Sequence, residues 1–372
     1  MYITRRIILN ENFNTKGFQV TDNSIQDRVP VSILTGFLGS GKTTLLSKLL
    51  QSENMDKVAV IINEFGEVGI DDALVVKSNE DTILLNNGCL CCTVRGDLVE
   101  TMHRLHVQKQ EGQIPEFNRL IVETTGLADP APILHTMMSD QFLVSRYRLD
   151  GVVTVVDAYH AMNQFDQQFE SVKQTAVADR IVLSKVDLTK PADIKKVKER
   201  LAIINPAAPI IESAHGEINP LKLFDAGLYN PLTKTADVAR WLKEEAYMDT
   251  EGHIAKHDHH NHSHDVNRHD DHIKSFSVYF DEPLKWGKIA GSLDMLAQTH
   301  GANILRIKGL INVEEIDDQP VVVHAVQHMF HPPAKIDDWP TSDQRSRLVF
   351  IVKDIDKEII ESALNSYLAM DF

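Results

Sequence analysis

Cysteine is scarce in this chain: three residues in 372. Three cannot build a disulfide framework, and a chain of this length can bury its cores without one. A reducing compartment is expected, with the cytoplasm as the default location. Long apolar runs are missing too. No stretch approaches the roughly 20 apolar residues that cross a bilayer. The opening MYITRRIILNENF follows its arginines with far fewer apolar residues than the roughly 7–15 of a secretory leader. Basic residues are in the minority, with 38 Lys and Arg against 53 Asp and Glu and a formal net charge of −15. Phosphate-backbone binding is driven by clustered Lys and Arg, so neither nucleic acid nor a membrane is an expected partner. No internal repeat is visible. A hydrophobic content of 43 % with 24 % charged residues is that of a soluble globular protein, and the length suggests two domains.

What is present is unevenly placed. All three cysteines fall within four positions, as Cys89, Cys91 and Cys92, and eight of the 17 histidines lie between His253 and His272. From Val31 onward, short β-branched runs alternate with helical segments. The runs are 31–34, 58–62, 82–85, 120–122, 152–156, 181–183 and 209–211. Unalternated runs of this kind suit inner strands of a largely parallel sheet, buried on both faces by helices. The segments 43–52 and 192–204 have helical spacing. A doubly wound, largely parallel α/β domain is expected. Residues 250–272 hold almost nothing apolar and read as a linker. Beyond them, strands near 276–280, 304–313, 320–330 and 347–354 and a helix over 285–300 predict a smaller α+β domain.

The first strand runs into GFLGSGKTTLL, which fits G-x-x-x-x-G-K-[ST]. Its chemistry is that of a phosphate cradle. Glycines let backbone N–H groups curl around phosphate oxygens, Lys42 neutralises β- and γ-phosphate charge, and the Thr43 hydroxyl can ligate Mg²⁺. Gly36, Gly39, Ser40, Gly41, Lys42, Thr43 and Thr44 are therefore expected to bind a nucleoside triphosphate. Glu123 closes the strand LIV and precedes Thr124, Thr125 and Gly126. An acid there can hold the Mg²⁺ shell or orient water, and the Gly126 N–H could meet the γ-phosphate. Alternatively, Glu123 merely caps a turn. Lys42, Thr43 and Glu123 are the expected catalytic residues.

Ser184-Lys185-Val186-Asp187 follows the strand at 181–183 and resembles the N/T-K-x-D guanine motif of P-loop GTPases. In that motif the Asp carboxylate accepts from guanine N1–H and the 2-amino group, and the Lys stem packs on the base. Adenine lacks that donor pair, so the carboxylate selects guanine. Ser184 stands where Asn is usual and loses the amide's two-sided reach. ESAHG (212–216) lies where GTPases place a backbone loop under guanine O6.

Thiolates are soft ligands suited to Zn²⁺ and Cu⁺, and C-x-C-C can supply two or three to one ion. Three sulfurs leave a tetrahedral position open, which favours transferable metal. Buried free cysteines behaving as small apolar residues are the alternative. Glu64 and Glu67 in NEFGE could complete the metal site, form a loop that senses the γ-phosphate, or be a solvated acidic turn.

Taken together, GFLGSGKTTLL, NEFGEVGID, GCLCCTVRGDL, ETTGLADP and SKVD resemble, in order and approximate spacing, the CobW-type metal-chaperone GTPases. The resemblance runs from about Pro30 to the C-terminus and includes that family's C-terminal module. It implies a GTP-hydrolysing enzyme that binds Zn²⁺ or Co²⁺ and hands metal to a client metalloprotein. It implies that Lys42 and Thr43 hold the phosphates and Mg²⁺, that Cys89, Cys91 and Cys92 ligate the delivered metal, and that Asp187 selects guanine. TVRGDL after the cysteines would lie near the nucleotide and couple the two sites. The organisation is then an extension (1–29), a P-loop GTPase domain (30–245), a His-rich linker (246–273) and a C-terminal domain (274–372).

The histidine tract, interleaved with Asp, offers many weak, exchangeable metal sites and would raise local metal concentration like a tethered ligand. A solvated linker is the bland alternative. The leading expectation is a zinc metallochaperone driven by GTP. A metal buffer or sensor without a client, and a cobalt-handling GTPase of cobalamin synthesis, are the competing ones. The sequence leaves homo-oligomer formation open.

Overall fold

The computed structural model describes residues 28–52, 55, 57–62, 83–86, 94–224, 272–331 and 333–370. The chain divides into two compact units. Within the first, the strands are β1 (Val29–Thr35), β2 (Val58–Ile62), β3 (Ile83–Asn86), β4 (Arg119–Glu123), β5 (Tyr147–Asp157), β6 (Arg180–Ser184) and β7 (Ile210–Glu212). Among the described residues they form one seven-stranded sheet in the order β3-β2-β4-β1-β5-β6-β7, with every pair parallel. Parallel neighbours need crossovers, and outside the β2–β3 connection, which lies beyond the described residues, successive strands are separated by helices. These are α1 (Lys42–Leu49), α2 (Val94–Gln110), α3 (Ala131–Ser139), α4 (Gln141–Arg146), α5 (Ala161–Gln167), α6 (Phe169–Ala176) and α7 (Pro191–Ile204).

The apolar runs are buried for the reason their composition suggested: both faces of the inner strands are covered. Val31, Ile33 and Leu34 of β1 are all buried. Leu45, Leu46 and Leu49 of α1 pack with Leu34, Val58, Val60, Ile121, Val153 and Val155 in one cluster. Met102 and Leu105 of α2 are fully buried as well. One irregularity has a polar cause. The β1–β5 register shifts between Val31 and Ser32, where β5 carries Asp150 as an extra residue. The Asp150 carboxylate accepts from Ser32 Oγ at 2.8 Å and from Arg119 Nη1 at 2.7 Å. That buried pair ties β1, β4 and β5 together away from their carboxyl ends.

The order places β1 between β4 and β5, so the chain leaves β1 toward one side and later returns on the other. Ligands of open α/β sheets bind in the crevice outside the strand carboxyl ends at such a reversal. The carboxyl end of β1 is where GFLGSGK begins.

The second unit has an antiparallel sheet. Its strands are β8 (Ile273–Phe280), β9 (Ile304–Ile311), β10 (Val321–Val326), β11 (Met329–Phe330), β12 (Ala334–Lys335) and β13 (Ser346–Lys353). They run in the order β11-β10-β9-β13-β8, and β12 pairs with β10. The helices α8 (Trp286–His300) and α9 (Lys357–Leu368) pack on it. Ile289, Leu293, Ile360 and Leu364 from the helices share a core with Ile307, Val323, Leu348 and Phe350 from the strands. The strand expected over 320–330 is two strands, because Gln327, at φ 53°, turns the chain into a hairpin.

Candidate nucleotide site

The phosphate loop joins β1 to α1, and its backbone demands glycine. Gly36 has φ 142°, and a Cβ there would lie 2.3 Å from the Val155 carbonyl oxygen. Gly41, at φ 96° in the left-handed region, is the N-cap of α1. Among the described residues no side chain caps that helix, and its first turn holds no acid, so its N–H groups and positive dipole end face the loop. Lys42 is buried, and its Nζ donates to the carbonyls of Gly36 at 2.9 Å and Phe37 at 3.3 Å. The ammonium therefore lies within the curve of the loop. Ser40 is fully buried beside it, whereas Thr44 is exposed.

Thr43 Oγ1 donates to Glu123 Oε1 at 2.9 Å. A hydroxyl from the first turn of α1 thus meets a buried carboxylate at the carboxyl end of β4. An all-oxygen pair of this kind fits a hard cation such as Mg²⁺. Beyond Glu123, Thr124 Oγ1 donates to Thr35 Oγ1 at 2.8 Å, and the Thr124 N–H donates to the Leu34 carbonyl at 2.9 Å. Gly126 lies so close to the phosphate loop that a Cβ would be 2.7 Å from both Leu38 Cα and Leu38 N.

At the other end of the loop, the SKVD segment is anchored by its first two residues. Ser184 Oγ donates to the Ser40 carbonyl at 2.6 Å and lies 3.2 Å from that of Val156. The hydroxyl that replaces an amide here is used to bind β6 to the phosphate loop. Lys185 takes a left-handed conformation at φ 57° and donates to the Gly39 carbonyl at 2.7 Å and to Asp157 Oδ2 at 2.7 Å. Asp187 Oδ2 lies 3.4 Å from His215 Nδ1 in the ESAHG segment. Gly216 follows His215 at φ 77°, and a Cβ there would be 3.2 Å from Thr44.

Sequence reasoning did not single out Asp157. It terminates the apolar run of β5 as Glu123 terminates that of β4, so the same signal, a carboxylate closing a buried strand, could have found it. Its Oδ1 accepts from the Tyr159 N–H at 2.9 Å, and its Oδ2 lies 2.9 Å from His160 Nδ1. Burial opposes its ionisation, but Lys185 and His160 outweigh that effect and hold the carboxyl below its ordinary range.

Cys89, Cys91, Cys92, Glu64 and Glu67 lie outside the described residues, as does the histidine tract up to position 271. β3 ends at Asn86 and α2 begins at Val94, so the cysteines fall on the connection between them. Among the described residues, no group of three or more His, Cys, Asp or Glu is arranged to hold a metal. His272 pairs through Nδ1 with the Asp354 carboxylate. No described helix is long and apolar enough to cross a membrane.

Residues 30–212 match the family described as "CobW/HypB/UreG, nucleotide-binding domain". Residues 273–368 match "Cobalamin synthesis protein cobW C-terminal domain". The chain is 34 % identical over 341 residues to the Zinc chaperone YjiA of Escherichia coli K12, covering 90 % of this chain and 97 % of that one. It is 30 % identical over 396 residues to Zinc-regulated GTPase metalloprotein activator 1 of Saccharomyces cerevisiae, covering 97 % and 88 %. The crystal structure of Zn(II)-bound YjiA GTPase from E. coli superposes with a TM-score of 0.67 at 30 % identity, covering 91 % of this chain and 99 % of that one.

Proposed function

We propose a function from the premise that this chain belongs to the CobW/HypB/UreG nucleotide-binding family and carries the CobW C-terminal domain. It is a GTPase that handles zinc. Its cysteine segment takes up the ion, and GTP turnover governs transfer to a client metalloprotein. The observation that carries the nucleotide half is the Thr43–Glu123 contact beside the buried Lys42 ammonium. That contact puts a cation-binding pair next to a phosphate-binding loop.

The roles follow from the chemistry of each group. Backbone N–H groups of residues 36–44 and the Lys42 ammonium receive the phosphates. Thr43 and Glu123 would hold Mg²⁺, which when bound would supply charge to offset that of the β- and γ-phosphates. Gly126, on the loop that follows, offers its N–H to the γ-phosphate. Asp187 accepts from the guanine edge, and the Lys185 stem lies along the base. A purine without the N1–H and 2-amino donors would leave the Asp187 carboxylate unpaired.

Zinc is cargo in this account. Cys89, Cys91 and Cys92 supply soft thiolate ligands, and Glu64 or Glu67 can add an oxygen. Thiolates survive in a reducing compartment, and the cytoplasm is the proposed location. Coupling has a short route along the chain. The cysteines follow β3, and β3 pairs with β2, which pairs with Glu123's strand. A nucleotide-dependent shift at the carboxyl ends of β2 and β4 would change metal affinity, and zinc would change nucleotide affinity by the same factor. The zinc-chaperone names of the relatives support zinc over cobalt.

The test is Lys42→Ala. It should abolish GTP hydrolysis while zinc still binds stoichiometrically in a titration. Normal hydrolysis in that variant would remove the loop from the active site. Loss of zinc binding together with hydrolysis would show that the two sites are not separable.

A further inference from the structure

The loop after Glu123 is gripped from α6. Gln174 on that helix is 1 % exposed, and its Nε2 donates to the Ala128 carbonyl at 2.9 Å and the Gly126 carbonyl at 3.2 Å. Both partners are acceptors, so the amide can face them only with its NH₂ group. Among the described residues, no donor reaches its buried Oε1 atom. The neighbouring Lys173 pairs with the Asp129 carboxylate, which also accepts from the Ala131 N–H at 3.0 Å. The helix itself is fixed to the sheet, because Thr154 Oγ1 of β5 donates to the Gln174 carbonyl at 2.8 Å. Gly126 meanwhile packs against Leu38 of the phosphate loop. The loop is thus held between the phosphate loop and a buried glutamine.

We propose that Gln174 is a positioning residue for GTP hydrolysis. It sets the 124–130 loop so that the Gly126 N–H is already aimed where γ-phosphate charge develops. This rests on the reading of that loop as the γ-phosphate sensor. A donor stabilises transition-state charge most when it need not be repositioned during the reaction. GDP lacks the γ-phosphate, so its binding should not depend on the grip. Lys173 assists by holding Asp129 at the far end of the same loop.

The experiment uses the full-length chain with Gln174→Met, which fills the volume but cannot donate. Lys173→Met, at a partly exposed site, is the second variant in case the first fails to fold. Gly126→Ala serves as the reference for the loop itself. GTP hydrolysis is measured together with affinities for GDP and for a non-hydrolysable GTP analogue. Gln174→Met should lower kcat by about tenfold and weaken the preference for the GTP analogue over GDP, leaving GDP affinity within about twofold. Lys173→Met should shift both in the same direction by about two- to threefold. A folded Gln174→Met with normal kcat and normal preference, while Gly126→Ala loses both, overturns the proposal and leaves the sensor reading standing. If Gly126→Ala is also normal, the sensor reading falls and takes the proposal with it. If Gln174→Met does not fold, an unchanged Lys173→Met overturns the proposal.

Discussion

Thr43 and Glu123, 80 positions apart in sequence, meet through one hydrogen bond of 2.9 Å. The contact exists because β1 and β4 are neighbours in the sheet, with Leu34 in register with Glu123. Glu123 is delivered there by the end of β4, and Thr43 by the first turn of α1, which the phosphate loop joins to the end of β1. Glu123→Gln keeps the size and one acceptor but removes the charge. It should reduce GTP hydrolysis by about 100-fold or more while GDP still binds. Thr43→Ala should raise the Mg²⁺ concentration needed for half-maximal turnover. Single-turnover hydrolysis across a Mg²⁺ titration checks both, and an unchanged Mg²⁺ dependence in Thr43→Ala would detach that hydroxyl from the cation.

Asp157→Asn removes the countercharge of Lys185. If Lys185 serves base binding as proposed, the KM for GTP should rise by about tenfold with kcat within about twofold. The pH dependence of stability should change as well. The folded carboxyl titrates below its unfolded value of about 3.9. Its contribution is therefore complete above that value and lost as pH falls through the lowered folded one. Urea midpoints of wild type and Asp157→Asn should differ at neutral pH and converge as the pH drops below about 4.

Gly36→Ala should be a folding lesion as much as a catalytic one. The added Cβ would sit 2.3 Å from the Val155 carbonyl, a backbone atom of β5 that cannot swing aside. A loss of about 2–3 kcal/mol is expected by urea unfolding. Gly39→Ala, where no described atom lies within 4 Å of an added Cβ but φ is 71°, should cost only about 1 kcal/mol.

Much of this was legible in the chain. The seven parallel strands correspond to the seven apolar runs, because buried parallel strands require continuous β-branched sequence. The phosphate loop was legible because its glycine spacing reflects backbone geometry that other residues cannot adopt. Less visible was what holds the site together. Asp157 and Gln174 act through contacts 28 and 48 positions distant; Asp157 carries the local mark of a carboxylate closing an apolar run, whereas nothing local in VKQTA announces Gln174. The Ser184 hydroxyl donates to the Ser40 carbonyl of the phosphate loop, 144 positions away, a contact that the local sequence does not show. The cysteines and the histidine tract rest on residue chemistry alone.

That chemistry predicts two classes of metal binding that differ in strength. Cys91→Ser should weaken the tight zinc component by at least about tenfold, since a thiolate is replaced by a poor ligand. Replacing the histidines between 253 and 269 with serine should leave tight binding intact and remove only weak, exchangeable equivalents. Titration against a chromogenic chelator separates the two classes. Unchanged tight binding in Cys91→Ser would take that cysteine out of the site.

The central claim is that nucleotide state sets metal affinity. The most direct measurement is zinc affinity by competition, taken on the full-length chain with GDP and with a non-hydrolysable GTP analogue in Mg²⁺ buffer. The two affinities should differ by about fivefold or more, with the reciprocal shift in nucleotide affinity when zinc is present. Equal zinc affinity in the two states would contradict the account, leaving a GTPase and a metal site that share a chain without sharing a mechanism.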